Sequence, residues 1–416
     1  MHGFSTGALV RFFQRLLEKT KFSKRSTVSN TTTKYNIILM GEKTMKIICD
    51  TSAINEVCSN LQRAVSPKSV NPALEGICIR ATQRGIEFFG YDGEVGISTV
   101  LSAESSAEGG VVINAKILCD ILRNLPEDKM TLEVDEKNRC TISSGRRNYT
   151  IMGIREDNYP ELPYVMGGEP IVLPQKIVKD MIRQVIFAVS LDESKTVHKG
   201  VKFELKEGVI TLAALDGYRL AVRREPIEYK GEPVSFIVPP KTLGELMKLI
   251  SNDEGFVSVN LDKNKIVFTL NGYNIVSGLY EGDFIDYKRT IPQTFATEIL
   301  ADTQAMNESI EGTAVLITER FRTPIKCEID AENNEIRFTS STAQGCATDE
   351  ISAQIEGKSS VKGFNSRYFT EALRAVETDR ILIKMNPSPV DPACIYPTEG
   401  DKFFYMILPV RLPDEQ

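Results

Sequence analysis

The chain has 416 residues, of which 42% are hydrophobic, and it carries a formal net charge of −6. This is enough apolar material for two or three domains with cores of their own, and no apolar run reaches the roughly 18 residues of a membrane-spanning helix. Two histidines are too few for most catalytic triads and histidine-based metal sites. The eight cysteines are scattered without a Cys-x-x-Cys pair, so we expect no disulfides, no bound metal or other cofactor, and a reducing cytoplasm.

Residues 1–44 differ in composition from the rest of the chain. They contain eight Lys or Arg residues against Glu18 and Glu42, a net charge of +6, which leaves −12 for the other 372 residues. A basic, Ser-rich segment of this kind is typical of an organelle transit peptide or of a nucleic-acid-binding arm. The third interpretation, which we favour, is that translation begins at Met45. We expect residues 1–44 to be disordered.

The remaining sequence is a threefold repeat with a period of about 125 residues. Asp92-Gly93 returns 124 residues later as Asp216-Gly217, and Gly76 returns at the same spacing as Gly200. A fainter third copy repeats the pattern of strand, polar turn and strand at 321–340. Self-similarity at a fixed period indicates tandem copies of one structural unit. The predicted domains span 45–165, 166–295 and 296–416.

Each copy is predicted to be an α+β domain with two helices and antiparallel strands. Apolar residues at helical spacing predict the first helices after Asp50 or Thr51, after Pro174, and over 302–311. The second helices are expected to follow three capping sites, which are Asn114, Pro239-Pro240 and Asn365. Strand meanders are predicted at 130–154, 256–279 and 380–412, and Pro- and Gly-rich connectors at 159–170 and 284–297.

The residue types that perform catalysis form no recognisable arrangement in this sequence. Asp92 and Asp216 each precede a glycine in a repeated turn, which indicates a turn-forming role. His198 has no Cys or Ser partner at an informative spacing. We therefore predict that the chain is not an enzyme. An unrecognised active site would require a cleft that contains strongly perturbed titratable groups.

Basic residues recur on the predicted helices. In each second helix two of them stand seven residues apart, and these pairs are Lys116 and Arg123, Lys241 and Lys248, and Arg367 and Arg374. The first helix of the second copy adds Lys176, Lys179 and Arg183. Residues i and i+7 share one helix face. Such a face is often simply solvated, but its recurrence in three copies of an acidic chain favours contact with the phosphate backbone of a nucleic acid, without sequence readout.

The sequence blocks resemble those of the beta sliding clamps of bacterial DNA polymerase III. The similarity runs from Met45 to Leu412 and rests on MKII at 45–48, AVS at 64–66, NPALEG at 71–76, LDGYRLAV at 215–222, FIDYKR at 284–289 and ILPVRL at 407–412. In that family three equivalent domains form half of a ring, two chains join head to tail, and duplex DNA passes through the hole. The resemblance implies a homodimeric, cytoplasmic processivity factor of the replicative polymerase, with no membrane association.

The resemblance also implies a hydrophobic pocket between the second and third domains. It would receive short motifs from the polymerase alpha subunit, the clamp loader delta subunit, and repair proteins such as repair polymerases, ligase and mismatch repair factors. Matched motif by motif, the pocket residues are His198, Gly217, Tyr218, Arg219, Leu220, Ile285, Arg289, Thr290, Met406, Leu408, Pro409, Val410 and Arg411. The implied DNA contacts in loops are Lys68, Lys195 and Lys199.

Four positions depart from the residues that are common in that family, and they are Leu215, Tyr218, Ile285 and His198. They bear on which peptides the pocket prefers. The alternative interpretation is a clamp-like DNA-binding or decoy protein that is not loaded in replication. Such a protein would still dimerise but would fail to bind clamp-interaction peptides.

Overall fold

The computed structural model describes residues 45–163, 165, 169–250, 254–317 and 323–412. The predicted disorder of residues 1–44 lies outside the described residues. Within them, no helix is long and apolar enough to cross a membrane. All eight cysteines are free thiols, and seven of them are buried.

The first repeat contains the predicted pair of helices among ten strands. Its elements are β1 (Met45–Asp50), α1 (Thr51–Leu61), β2 (Gly76–Thr82), β3 (Gly85–Tyr91), β4 (Val95–Leu101), β5 (Glu104–Ser105), β6 (Gly109–Asn114), α2 (Ala115–Leu122), β7 (Lys129–Val134), β8 (Arg139–Ser144), β9 (Arg147–Met152) and β10 (Ile154–Arg155). The expected caps are present. The Asp50 carboxylate accepts a hydrogen bond from the Ala53 amide at 3.0 Å, and the Asn114 side chain accepts one from the Ile117 amide at 3.2 Å.

The described part of the second repeat has the same order of elements, without counterparts of the two-residue strands β5 and β10. They are β11 (Ile171–Pro174), α3 (Gln175–Arg183), β12 (Val201–Lys206), β13 (Val209–Leu215), β14 (Arg219–Pro226), β15 (Val234–Val238), α4 (Pro240–Leu249), β16 (Phe256–Leu261), β17 (Lys265–Leu270) and β18 (Tyr273–Gly278). Pro174 and Pro239 immediately precede α3 and α4. Proline suits this end of a helix because the first amides have no partner within the helix.

The third repeat completes the series. Its elements are β19 (Thr297–Asp302), α5 (Thr303–Ala314), β20 (Ile325–Asp330), β21 (Glu335–Thr342), β22 (Gly345–Ser352), β23 (Gln354–Gly357), β24 (Ser360–Phe364), α6 (Ser366–Ala375), β25 (Arg380–Met385), β26 (Ala393–Pro397) and β27 (Phe403–Ile407). α5 extends three residues beyond its predicted end at residue 311. Its buried face, which includes Met306 and Ile310, packs on the sheet and stabilises a helix that contains no basic residue.

The strands form four antiparallel sheets, and two of these cross from one repeat into the next. One nine-stranded sheet has the order β10-β6-β2-β3-β4-β18-β17-β16-β11, and the other has the order β15-β12-β13-β14-β27-β26-β25-β19-β23. The two smaller sheets have the orders β5-β1-β7-β8-β9 and β22-β21-β20-β24. The first repeat is therefore joined to the second by β4 and β18, and the second to the third by β14 and β27.

The repeated Asp-Gly pairs form the turns that were predicted. The Asp92 carboxylate accepts hydrogen bonds from the amides of residues 94 and 95, both at 2.9 Å. Asp216 makes the same bonds to residues 218 and 219, at 2.8 and 3.0 Å. Gly93 and Gly217 have φ angles of +99° and +94°, a conformation that favours glycine. The recurrence of Asp-Gly in the sequence is explained by this local geometry.

The equivalent glycines at the start of β2 and directly before β12 mark places where the backbone and side chains approach closely. A Cβ atom at Gly76 would lie 2.5 Å from Val112 Cγ1 and 2.9 Å from the Ile113 carbonyl oxygen. A Cβ atom at Gly200 would lie 2.5 Å from Ile237 Cγ2 and 3.0 Å from the Val238 carbonyl oxygen. Any side chain at these two positions would overpack the core.

We expect Gly200→Ala to lower the free energy of unfolding by about 1–3 kcal/mol, because neighbouring core atoms have to move. The matched control is Gly244→Ala in α4, where no atom lies within 4 Å of the added Cβ. That substitution should leave stability unchanged or raise it by up to about 1 kcal/mol, since alanine favours helix. Thermal unfolding of the two variants measures the difference. Equal melting temperatures would show that the close approach at Gly200 is not a constraint.

Candidate functional site

Two of the predicted pocket segments meet where β14 pairs with β27. Arg219 lies opposite Ile407 and Leu220 opposite Met406. Just beyond this pairing, the Leu408 amide donates a hydrogen bond of 2.9 Å to the Tyr218 carbonyl oxygen. The turn at 216–218 and the C-terminal segment at 407–411 therefore lie side by side at the junction of the second and third repeats.

An apolar cluster forms a floor beside these two segments. Its buried members are Ala213, Leu215, Leu220, Val222, Tyr287, Cys394, Phe404 and Met406, with Phe284, Ile291, Phe295 and Tyr396 packed against them. Leu215, Leu220 and Met406 are at most 7% exposed. Strands of both repeats and the connector at 284–296 contribute to this cluster, so it depends on the junction being intact.

More exposed apolar residues surround this floor. Tyr218 is 60% exposed, Ile285 46% and Val410 36%, while Leu408 and Pro409 are half-buried. A Cβ atom at Gly217 would have Lys195 Nζ as its nearest neighbour, at 3.7 Å. Apolar surfaces of this kind can receive the apolar side chains of a short peptide.

His198 lies at the edge of this region, in a 3₁₀ turn at 196–199. Its ring contacts Phe284 edge to face, with 5.8 Å between ring centroids and an interplanar angle of 73°. Burial lowers the pKa of the imidazole and the nearby Lys195 ammonium lowers it further, which favours the neutral ring. Its Nδ1 atom is buried and has no hydrogen-bond partner among the described residues.

The remaining predicted pocket residues lie on the surface. Arg289 is 86% exposed and pairs with Asp286 at 2.8 Å. The Thr290 hydroxyl donates to the Tyr287 carbonyl oxygen at 2.7 Å, which fixes the short turn at 287–290. Arg411 is exposed. Among the described residues, no hydrogen bond or ion pair joins the side chain of Arg289 or Arg411 to another predicted pocket residue, and both guanidinium groups are exposed.

Arg219 differs from its neighbours because its side chain is directed into the junction. The side chain is 8% exposed and forms ion pairs with Asp216 and with Glu371 of α6. Sequence reasoning identified Arg219 only as a pocket residue and did not identify Glu371. The available signal was the repeat itself, because Glu371 and Glu245 stand at equivalent positions, each four residues after a predicted DNA-contacting residue.

Most predicted DNA-contacting residues on the helices have a carboxylate close by. Lys241 pairs with Asp92 at 2.8 Å and with Glu94 at 3.1 Å, across the junction of the first and second repeats. The other paired residues are Arg123 with Asp120, Arg183 with Glu377, Lys248 with Glu245, Arg367 with Glu371, and Arg374 with Glu311. These pairs reduce the positive potential that the sequence alone suggests.

The other predicted DNA contacts form no ion pair with any residue in the described part of the chain. They are Lys68, Lys116, Lys176, Lys179, Lys195 and Lys199. Four of the six belong to the second repeat, on α3 and in the loop that follows it. Among the predicted DNA contacts, the lysines that form no ion pair are therefore mostly in the central domain. Across the described residues, no group of His, Cys, Asp and Glu side chains has a metal-binding arrangement.

Comparison with known proteins identifies the family. Sequence models of the DNA polymerase III beta subunit match residues 45–163 with its N-terminal domain, 172–286 with its central domain and 288–411 with its C-terminal domain. The chain belongs to the DNA polymerase III beta subunit family. This family comprises the beta sliding clamps, which are non-catalytic processivity factors of DNA polymerase III. The prediction that the chain is not an enzyme is confirmed by this membership.

Individual relatives agree over almost their whole length. The beta sliding clamp of Halalkalibacterium halodurans is 30% identical over 380 residues, which are 88% of this chain and 100% of the relative. A putative DNA polymerase III beta subunit from Eubacterium rectale superposes with a TM-score of 0.84 at 29% identity, over 88% of this chain and 99% of that one. The Bacillus subtilis sliding clamp superposes with a TM-score of 0.85 at 26% identity, over the same shares. The predicted three-domain α+β fold is thus confirmed.

Proposed function

We propose that two copies of this chain join head to tail into a closed ring, that duplex DNA passes through the ring, and that partner proteins dock between the second and third domains. The observation that carries the proposal is the repeated junction, in which β18 pairs with β4 and β27 pairs with β14. Three domains in one chain form two such junctions. One strand equivalent to β18 and one strand equivalent to β4 are then left without a partner in another domain. A second copy of the chain supplies the missing partners.

The two junction strands that lack a partner in another domain are β9 and β22. β9 is the equivalent of β18, because each forms a hairpin with the strand before it, and β9 is the edge of its sheet. β22 is the equivalent of β4, because each likewise forms a hairpin with the strand before it, and β22 is also an edge. In the first junction Tyr273 lies opposite Thr99. In their hairpins, Arg147 occupies the position of Tyr273, and Asp349 occupies the position of Thr99. The same register between β9 and β22 therefore places Arg147 opposite Asp349 of the partner subunit. Opposite charges at facing positions stabilise an antiparallel pair, and exposed edges favour pairing with a second chain.

A charge exchange tests this register. We expect Arg147→Asp or Asp349→Arg to shift the protein at micromolar concentration from dimer toward monomer, because each puts like charges opposite one another at both interfaces of the ring. The combined variant restores opposite charges and should recover the dimer. Analytical ultracentrifugation measures the species present.

The control for the charge exchange is Lys384→Glu, which changes a similar charge in a pair with Glu298 inside one domain. It should remain dimeric. If both single exchanges sediment like the unchanged protein, β9 and β22 do not form the interface.

The predicted DNA-contacting lysines that form no ion pair within the described residues are the side chains best suited to bind phosphates. Lys176 and Lys179 lie on α3, and Lys195 and Lys199 follow in the next loop. Contacts of this kind are electrostatic and independent of base sequence. A closed ring is retained on DNA by topology, so these contacts need only be weak. We propose that the central domain makes most of them, with Lys68 and Lys116 adding contacts from the first domain.

Salt dependence tests the role of α3. Replacing both Lys176 and Lys179 with alanine should lower the slope of log K against log salt by about 2, since each phosphate contact contributes about 1. Fluorescence anisotropy with a labelled duplex measures this slope. The control replaces Lys137 and Lys263, two exposed lysines in hairpin turns, and should leave the slope unchanged. An equal loss in both double variants would mean that DNA binding is not localised on α3.

The junction of the second and third domains is the proposed docking groove for linear peptide motifs. Its apolar floor and the exposed Tyr218 and Ile285 suit aliphatic and aromatic side chains, and Arg289 and Arg411 can bind an acidic flank. The proposed partners are the polymerase alpha subunit, the clamp loader delta subunit, and repair polymerases, ligase and mismatch repair proteins. A clamp with these partners works on chromosomal DNA in the cytoplasm.

Replacing Leu408 and Arg411 together with alanine should weaken binding of a polymerase alpha subunit motif peptide at least tenfold, since both side chains are accessible at the groove and truncated contact residues of this kind cost about 1.4 kcal/mol or more. Met406 is left intact because it is 7% exposed and belongs to the floor. Fluorescence anisotropy with a labelled peptide measures the affinity. Val390→Ala, which removes a 75% exposed apolar residue elsewhere in the third domain, is the control. Unchanged affinity in the double variant would contradict the groove assignment.

A further inference from the structure

One carboxylate joins the groove to the helix face that carries the predicted DNA contacts. Glu371 accepts a hydrogen bond of 2.8 Å from Arg367 Nε through one oxygen, and a hydrogen bond from Arg219 Nη1 through the other. The Arg367 side chain is 70% exposed, whereas the Arg219 side chain is 8% exposed. Glu371 therefore divides its negative charge between a solvent-facing arginine and a buried one.

The buried arginine is fixed by several further contacts. Arg219 Nε donates to Asp216 at 3.0 Å, and Nη2 donates to the Phe187 carbonyl oxygen at 2.5 Å. Its guanidinium carbon lies 4.4 Å from the centroid of the Tyr368 ring, a cation–π contact. Because these groups come from α6, from the turn before β14 and from residue 187, Arg219 holds the second and third domains together.

The same arginine fixes one wall of the proposed groove. Arg219 contacts the ring of Tyr368. This ring stacks with that of Tyr218, with 6.4 Å between ring centroids and an interplanar angle of 25°. The Tyr218 carbonyl oxygen in turn accepts the hydrogen bond from the Leu408 amide at 2.9 Å. Any change in how firmly Glu371 holds Arg219 therefore acts on a residue that borders the groove.

Both arginines stabilise the charged form of Glu371. Burial alone would raise the pKa of this carboxyl, but the hydrogen bonds and positive charges of Arg219 and Arg367 outweigh burial and hold the pKa below its usual value. The carboxylate is thus shared by two charge-assisted hydrogen bonds. When another anion binds one of the two arginines, Glu371 pairs with the remaining arginine alone.

We infer that Glu371 is a positioning residue that couples DNA binding to peptide binding. A DNA phosphate that binds Arg367 leaves Glu371 to Arg219 alone, which holds the Tyr368 and Tyr218 wall more firmly and strengthens peptide binding. By linkage, a bound peptide strengthens DNA binding by the same factor. This coupling rests on the proposed function, since it requires that Arg367 contacts DNA and that the junction binds peptides.

The junction of the first and second domains also has a shared carboxylate, but with different partners. Glu245, the equivalent of Glu371, pairs with Arg63 at 3.1 Å and with Lys248 at 2.8 Å. Lys241, the equivalent of Arg367, pairs instead with Asp92 and Glu94. A shared carboxylate is therefore present at both junctions. The second junction differs in the arginine that the carboxylate binds, because Arg219 packs against Tyr368 beside the proposed groove.

The coupling is tested by measuring the dissociation constant of a fluorescein-labelled peptide that carries the polymerase alpha subunit motif, with and without a saturating 30-base-pair duplex at low salt. The full chain should bind the peptide about fivefold more tightly with DNA, at the lower end of typical allosteric coupling. Arg367→Ala should show the tighter affinity without DNA, because it frees Glu371 in the same way. Added DNA should then have no further effect on peptide affinity.

Arg374→Ala is the matched comparison, because Arg374 lies on the same helix and pairs with Glu311 instead of Glu371. It loses the same charge toward DNA but should keep the weaker peptide affinity until DNA is added. Glu371→Gln should abolish the effect of DNA on peptide affinity, with its melting temperature reported alongside. Equal peptide affinity with and without DNA, or equal behaviour of the two arginine variants, would overturn the coupling. Failure of the unchanged protein to bind either peptide or DNA would overturn the proposed function itself.

Discussion

Hydrogen-bonded pairing of strands across the domain junctions is the constraint on which the rest of the structure depends. β4 and β18 are joined over residues 95–99 and 273–277, and β14 and β27 over residues 219–223 and 403–407. Each junction extends one sheet through two domains. Because unpaired backbone groups at a sheet edge are costly to bury and available for pairing, a chain of three such domains has two edges that a second copy can complete.

Ion pairs between charged side chains also connect the domains at each junction. Lys241 binds Asp92 and Glu94 across the first junction, and Arg219 binds Glu371 across the second. Ion pairs of this kind contribute little when exposed, but removing one partner of a buried pair is strongly destabilising. The second junction, whose ion pair is the more buried, is also the one that carries the apolar floor. Arg219 therefore stabilises the junction that carries the proposed docking groove.

The sequence predicted those features that local chemistry determines. The caps at Asp50, Asn114 and Asn365 and the Asp-Gly turns follow from hydrogen bonds within a few residues, and the repeat spacing indicated three equivalent domains. The family resemblance, and not periodicity, identified the pocket segments. Pairing between distant residues was not predictable: Arg219 was assigned to the pocket, and neither Glu371 nor the carboxylates beside the basic helix residues were recognised. Arg219 and Glu371, like Lys241 and Asp92, are about 150 positions apart, and a single sequence holds no direct signal for such contacts. Asp120, Glu245 and Glu371 stand three or four positions from a basic partner on the same helix, a spacing that the sequence does show.

The central claim is that the junction seen twice within one chain is formed again between chains. The most direct measurement is negative-stain electron microscopy of the purified protein at micromolar concentration, with particles sorted into class averages. Closed rings of six lobes around an open centre are the predicted result, because two chains with three domains each then leave no unpaired junction strand. Compact particles without a central hole, or open filaments, would contradict the claim and would mean that β9 and β22 do not complete the series.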